Sequence, residues 1–250
     1  MHLLQKNKMI RRIFISHENI NGDIITSDQE AQKHIVKVLR MKEKDKFLAE
    51  DGSGTEYVAE IISFDKKSVK AKILERIEKK DNGIHINLFM SIIKPARFEI
   101  MLEKLAEIGV KKIIPIISKN CGEYQINENK KNRFNSILNQ ASRQCAGSFI
   151  PILEDTKQFE EAIIQAKTNA PIIFLDQTGK GSWSKIGNLI NPKKQVNIFI
   201  GPEGGFTKEE VEFAQKQDAY ILNLGERILR AETAASSVCS MVRFCCMFEG

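Results

Sequence analysis

The sequence predicts an α/β protein with a mostly parallel sheet, preceded by a small β-rich domain. Two observations carry this. Residues 1–78 break into short apolar runs separated by turn residues at roughly ten-residue spacing, the rhythm of a small barrel or rolled sheet. From residue 84 onward, buried-type strands alternate with helical patterns, the rhythm of a parallel sheet covered on both faces. The boundary falls in the charged, glycine-containing run Glu78–Gly83, dividing the chain into 1–78 and 79–250.

In the first part, Ile13-Phe14-Ile15 reads as a strand after Arg11-Arg12. Gln29–Met41 reads as a helix with Ile35, Val38 and Leu39 on one face and His34, Lys37 and Arg40 largely elsewhere. Lys46–Ala49 is a strand running into the turn cluster Asp51-Gly52-Ser53-Gly54. Glu56–Phe64 and Ser68–Leu74 are strands joined by Asp65-Lys66-Lys67. In the second part, Ile84–Ile93 is a strand that Pro95 ends. Phe98, Met101, Leu102, Leu105 and Ile108 then recur at helical spacing until Gly109. Lys112–Ile117, Pro171–Asp176, Gln195–Ile200 and Ala219–Leu224 read as strands. Lys130–Ala146, Gln158–Lys167, Lys208–Gln217 and Ala231–Phe248 read as helices.

Composition narrows the function classes. The chain has 250 residues, 42% hydrophobic and 28% charged, which excludes disorder and leaves ample material for a core. No apolar run approaches the ~20 residues of a membrane span, and Met1–Phe14 lacks the features of a secretory signal, so a soluble, cytoplasmic protein with no membrane partner is expected. The net charge is +6, divided as +2 over residues 1–78 and +4 over the rest. Any nucleic-acid surface must therefore be assembled by folding rather than supplied by a basic tail. Five cysteines without a C-x-x-C pair, and four histidines scattered through the first third, argue against a disulfide framework or a metal site. Cys245-Cys246 read as buried free thiols.

Two segments carry the chemistry. In Asn197–Phe206, NIFIGPEGGF, a buried strand ends in a loop with three glycines, after which Thr207 and Glu210 have capping-box spacing for a helix start. Such a loop lies where open parallel sheets bind ligands, although a ligand-free strand–helix connection explains it equally well. It matches neither the G-x-G-x-x-G nor the G-x-x-x-x-G-K-[ST] phosphate motif. In Leu222–Ala235, LNLGERILRAETAA, a strand again ends in a glycine loop before a helix, with Arg227, Arg230 and Glu232 at the junction. Salt-bridged scaffolding is the alternative reading of those charges.

The segments IGPEGGFTKEEV and LGERILRAETAA together resemble the RsmE family of SPOUT-class RNA methyltransferases. Upstream, HIVKVLRMKEKDKF and DGSGTEYVAEI look like that family's PUA-like N-terminal domain, and KPARFEIMLEKLAEIGVKKIIPIIS like the opening of its methyltransferase domain. The resemblance covers nearly the whole chain. It implies an N-terminal PUA-like β-barrel that binds RNA and a SPOUT domain with a C-terminal trefoil knot. It also implies S-adenosyl-L-methionine as methyl donor, N3 of a uridine in 16S ribosomal RNA of the small ribosomal subunit as target, and a homodimer. The knot would form from loops near Leu175–Gly179, Gly201–Gly205 and Leu222–Leu229, with the methyl donor bound among them. The residues that would hold it are Leu175, Ile200, Gly201, Pro202, Glu203, Gly204, Gly205, Leu224, Gly225, Ile228 and Leu229.

On this reading Arg230 favours the imide anion or orients the base, and Glu232 is a weaker candidate as proton acceptor. Arg11, Arg12, His34, Arg40, Lys94 and Arg97 are candidates for RNA contacts, against the alternative of ordinary solvated surface groups. The apolar terminal helix, with Val238, Met241, Val242, Cys245 and Phe248, suits burial against a partner or within one subunit. The sequence departs from the family at Arg143, where Glu is common, and at Gly147, where Arg is common. A SPOUT enzyme acting elsewhere, for instance on a tRNA ribose, and a non-catalytic ribosome-assembly protein are the rival readings.

Overall fold

The computed structural model describes residues 11–79, 83–145, 149–190 and 195–245. Contacts divide the chain into two units: Met1–Asp81 with Ser142–Phe149, and Asn82–Ala141 with Ile150–Gly250.

The first unit contains β1 (Arg12–Phe14), β2 (Ile20–Asn21), β3 (Ile24–Thr26), α1 (Gln29–Lys33), β4 (Lys46–Glu50), β5 (Thr55–Phe64) and β6 (Val69–Glu78). These six strands form one sheet in the order β1-β4-β5-β6-β3-β2, with only the β1–β4 pair parallel. Inward-facing Ile13, Ile25, Phe47, Ala49, Ala59, Ile61, Ala71 and Ile73 fill its core together with Ile35. The inward residues of β6 recur with the two-residue period of a strand that has one buried face.

The predicted helix over Gln29–Met41 is only partly α-helical. Asp28 caps α1 by accepting from the Ala31 N–H at 2.7 Å. The chain then widens into a π-helical turn, His34–Val38, in which the Leu39 N–H reaches the His34 carbonyl. A π turn holds more residues per revolution than an α turn. Four residues on from buried Ile35, Leu39 therefore still packs against the core, whereas Val38 is rotated away and is 66% exposed. This corrects the assignment of Val38 to the apolar face. Arg40 follows with φ 51° and an exposed side chain.

A group of acids is buried along β4 and β5: Glu50, Asp51 and Glu56. Arg12 meets Glu50 at 2.6 Å and Glu56 at 3.6 Å, and Lys79 meets Glu56 at 3.1 Å. Burial pushes the Glu50 carboxyl above its usual range, and Arg12 opposes this. Burial would also raise Asp51, but hydrogen bonds from Ser53, His17 and Tyr57 outweigh it and hold that carboxyl below its usual range. Arg12, a candidate phosphate contact, is ion-paired with these buried carboxylates and compensates their charge.

The second unit runs β7 (His85–Ser91), α2 (Pro95–Ile108), β8 (Lys112–Ile117), α3 (Glu128–Gln144), β9 (Ile152–Leu153), β10 (Lys157–Gln158), α4 (Phe159–Asn169), β11 (Ile172–Leu175), α5 (Ile186–Ile190), β12 (Gln195–Ile200), α6 (Lys208–Lys216), β13 (Tyr220–Leu222) and α7 (Ala231–Cys245). Its sheet has the order β10-β8-β7-β12-β11-β13, with β9 also on β8, and every pair is parallel. Alternate residues feed two cores. Ile86, Leu88, Met90, Ile198, Ile200 and Ile173 face α2, α3, α5 and α7. Phe89, Phe199, Phe174 and Ile172 face α4 and α6. Phe89 and Phe199 stack at 4.3 Å, tying β7 to β12.

Gly109, at φ 81°, ends α2 as its sequence position predicts. Among the described residues no helix is long and apolar enough to cross a membrane. Cys245 is partly buried, and Cys246 lies outside the described residues. Cys239 is fully buried, and burial pushes its thiol up to about 12, so it is unreactive near neutral pH.

Candidate functional site

Three loops leave the carboxyl ends of the neighbouring strands β12, β11 and β13, the position at which parallel sheets present ligand sites. Between them lies a cavity of 560 Å³ lined by segments 175–178, 200–206, 222–225 and 227–231, together with Arg97 and Ala234. That volume falls within the ~300–1,000 Å³ of small-molecule pockets.

The loop after β12 is held at both ends. Phe206 packs against Phe174 at 4.3 Å and Phe159 at 5.5 Å, anchoring the loop's exit in the core. The predicted capping box forms: the Thr207 hydroxyl accepts from the Glu210 N–H, and the Glu210 carboxylate accepts from the Thr207 N–H at 2.8 Å. Glu210 is itself buried, and its second oxygen accepts from the Lys119 N–H at 2.8 Å. Gly205, at φ 70°, makes the turn that a side chain would strain. Asn120 supports the same turn by donating to the Gly205 carbonyl at 3.0 Å. Thr207→Ala is expected to cost about 1 kcal/mol of stability, measured by urea unfolding, because it removes one half of the box.

The segment after β11 presses on the end of β13. The Asp176 N–H donates to the Leu222 carbonyl at 2.9 Å, and the Gly181 N–H to the Ile221 carbonyl at 3.1 Å. Asn223 donates to the Gly179 carbonyl at 2.6 Å, and the Trp183 indole to the Asn223 carbonyl at 2.9 Å. Within this segment the Asp176 carboxylate accepts from the Thr178 N–H and hydroxyl, so its turn is set before any ligand arrives. Gly225, at φ 104°, opens the third loop, which the Asn223 side chain steadies by accepting from the Gly225 N–H at 3.1 Å.

The residues named in advance as cofactor contacts, Leu175, Ile200 through Gly205, Leu224, Gly225, Ile228 and Leu229, all line this one cavity, and so does Arg230. Glu232 does not. It sits in the first turn of α7, 3.9 Å from Arg97. Arg97 also meets Glu203 at 3.8 Å, so this RNA-contact candidate faces two carboxylates. Lys94 is exposed just before α2. In the first unit, Arg11 donates to the Leu39 carbonyl, Arg12 is ion-paired as above, and His34 and Arg40 are exposed.

Arg227, Asp176, Gln177, Thr178 and Asn223 also line the cavity; they were not named singly as cofactor contacts, although they belong to the loops Leu175–Gly179 and Leu222–Leu229 expected around the methyl donor. Arg227 and Arg230 are exposed and carry no ion pair among the described residues. Arg143, one departure from the family pattern, lies with the first unit, its guanidinium 4.3 Å above the Phe14 ring and 3.5 Å from Glu30. Gly147 lies outside the described residues.

Comparison with known proteins agrees with this geometry. A family model described as an RNA methyltransferase domain matches residues 78–243, and one described as an RNA methyltransferase PUA domain matches 27–74. The ribosomal RNA small subunit methyltransferase E of Buchnera aphidicola is 34% identical over 238 residues, covering 92% of this chain and 91% of its own. A Legionella pneumophila structure, described as a methyltransferase in complex with the bound cofactor SAM, is 28% identical with a TM-score of 0.77 over 94% of this chain and 97% of its own. The fold is also shared with the ribosomal RNA small subunit methyltransferase E of Neisseria gonorrhoeae, solved bound to S-adenosyl methionine, at 24% identity and a TM-score of 0.78 over 94% of this chain and 97% of its own. The parallel sheet with its three-loop cavity, the PUA domain ahead of it and identity along nearly the full length place the chain in the family of ribosomal RNA small subunit methyltransferase E, among the RNA methyltransferases.

Proposed function

We propose that the protein transfers a methyl group from S-adenosylmethionine to RNA of the small ribosomal subunit, at N3 of a uridine. The observation that carries this reading is the cavity at the ends of β11, β12 and β13, lined by two arginines that carry no ion pair among the described residues.

The residues present fit the methyl donor. Leu175, Ile200, Leu222 and Leu224 offer apolar walls for a nucleoside, and the tight turns at Gly205 and Gly225 bring main-chain polar groups to the wall. When bound, S-adenosylmethionine supplies an electrophilic methyl group. The chain's own residues then have three tasks. The loops hold the two reactants in line, which removes most of the entropic barrier of a bimolecular step. Arg230, charged at the cavity and without an ion pair among the described residues, favours the anionic form of the uridine imide and so eases loss of its proton. Arg227, on the same loop, is placed to meet the polyanionic backbone of a nucleotide presented out of its stack.

The same reading includes a trefoil knot, supported by the contacts of 176–183 against the end of β13. It also includes a homodimer, supported by Met241 and Phe244, apolar side chains on α7 that are 38% and 62% exposed. It places the protein where small subunits are made and matured, in the cytoplasm.

Calorimetry with S-adenosylmethionine, followed by mapping of methylated nucleotides in small-subunit RNA with and without the gene, tests the reading. Saturable binding and the loss of one N3-methyluridine are expected. Absence of binding would overturn the enzyme assignment, and loss of a ribose or tRNA methyl group instead would move the target.

A further inference from the structure

Among the described residues three arginines line the cavity, and they are not equivalent: Arg227 and Arg230 are exposed and carry no ion pair there, whereas Arg97 stands between two carboxylates. We propose that Arg97 is a positioning residue that clamps the loop after β12 to the start of α7 and so keeps the methyl-donor pocket shaped. The clamp itself stands on geometry alone; its effect on ligand binding rests on the function proposed above.

Arg97 lies in the first turn of α2, a helix that begins with Pro95 directly after Lys94. From there its Nη1 is 3.8 Å from Oε1 of Glu203, in the middle of the loop after β12, and its Nε is 3.9 Å from Oε1 of Glu232, which directly follows the third loop. The Lys94 N–H adds a long contact to the same Glu203 oxygen at 3.4 Å. One rigid helix start therefore holds the two segments that close the cavity from either side.

Glu232 makes the clamp consequential. Its side chain is only 12% exposed, and its second oxygen, Oε2, is shielded from solvent without a hydrogen-bond partner among the described residues. Among those residues Arg97 is the cation that faces this carboxylate. Removing one partner of a buried pair leaves an uncompensated charge, which costs more than the pair contributed. The same geometry speaks against Arg97 as a phosphate contact. A phosphate approaching that guanidinium would meet Glu203 and Glu232 at once, and like charges at close range repel.

Amide hydrogen exchange on the full-length, ligand-free protein tests the clamp directly. In Arg97→Ala, exchange is expected to quicken in both 201–205 and 223–232 while β7 and β12 stay protected, because a released loop opens without global unfolding. Unchanged exchange in those two segments would overturn the proposal. Binding of S-adenosylmethionine to the same variant is expected to weaken about tenfold, with the KM for small-subunit RNA unchanged. An unchanged affinity for the methyl donor with a raised KM for RNA would overturn it in favour of a phosphate contact.

Adding Glu232→Gln to Arg97→Ala is expected to restore part of the lost affinity, since it removes the stranded charge; strictly additive losses would count against the clamp. Should Arg97→Ala not fold, Arg97→Lys, which keeps the charge, is expected to fold and keep both loops protected, and faster exchange in that variant would again overturn the proposal. A wild-type protein that fails to bind S-adenosylmethionine would sink the proposed function, while the exchange experiment would still decide the clamp.

Discussion

Replacing Gly179 by alanine is expected to destabilise the second unit and to abolish ligand binding at the cavity. A Cβ at Gly179 would stand 2.5 Å from the carbonyl carbon of Leu222 and 2.8 Å from its Cα and N. These are backbone atoms of β13, fixed in the sheet by pairing with β11, so they cannot rotate aside as a side chain would. The loop must move instead, and it would lose the hydrogen bond from Asn223 and those of Asp176 and Gly181 to β13. Overpacking of this kind costs roughly 3 kcal/mol. For a chain of this size that lowers the melting temperature by about 6–12 °C. Scanning calorimetry checks it, and a variant that melts with the wild type would show that the loop has slack the distances deny. Gly205→Ala, where nothing stands within 4 Å, serves as the contrast: its cost is backbone strain at φ 70° rather than collision.

Arg230→Ala is expected to act on chemistry and leave the fold alone. Its side chain is exposed and carries no ion pair among the described residues, so truncation strands no buried charge there, and the change in stability should stay within about 0.5 kcal/mol. Turnover is expected to fall on the order of 10²-fold, the usual loss when one preorganised group that stabilises developing negative charge is removed. Affinity for S-adenosylmethionine should be nearly unchanged.

The pH dependence supplies a second signature. A cation favours the imide anion and lowers its pKa, so removing the cation moves the rising limb of the rate–pH profile to higher pH. Turnover equal to wild type would remove Arg230 from the mechanism. Lower turnover with an unmoved profile would leave it orienting the base.

Both variants sit on segments that differ in how far the sequence exposes them. The G-P-E-G-G loop is legible because strand, glycines and capping box are contiguous, and local rules describe contiguous residues well. Arg230 is legible for the same reason, as a cation in a strand–loop–helix junction. Gly179 is not. Nothing near it in the chain says that its neighbour is the backbone of Leu222, 43 residues later. Arg97 is similar: its sequence context offers an RNA contact or a surface charge, and only folding brings Glu203 and Glu232 to it.

The first unit shows the same divide. The strands β4, β5 and β6 follow from alternation and turn residues, since period-two patterning is a local consequence of one buried face. That Arg12 compensates Glu50 is visible only once β1 has paired with β4 and set it beside that carboxylate. The π turn at His34–Val38 moved Val38 to solvent against its spacing, because periodicity assumes a regular helix.

By itself, then, the sequence determined the alternation of strands and helices and the loops that carry glycine, since each rests on residues adjacent in the chain. Only the tertiary structure decided that three of those loops share one cavity, that Arg97 serves two carboxylates, and that β13 forbids a side chain at Gly179. Those facts depend on a sheet order in which β12 is inserted between β7 and β11, bringing into contact residues more than forty positions apart. A backbone amide or a buried charge is satisfied by whatever lies next to it in space, and no local pattern records that neighbour.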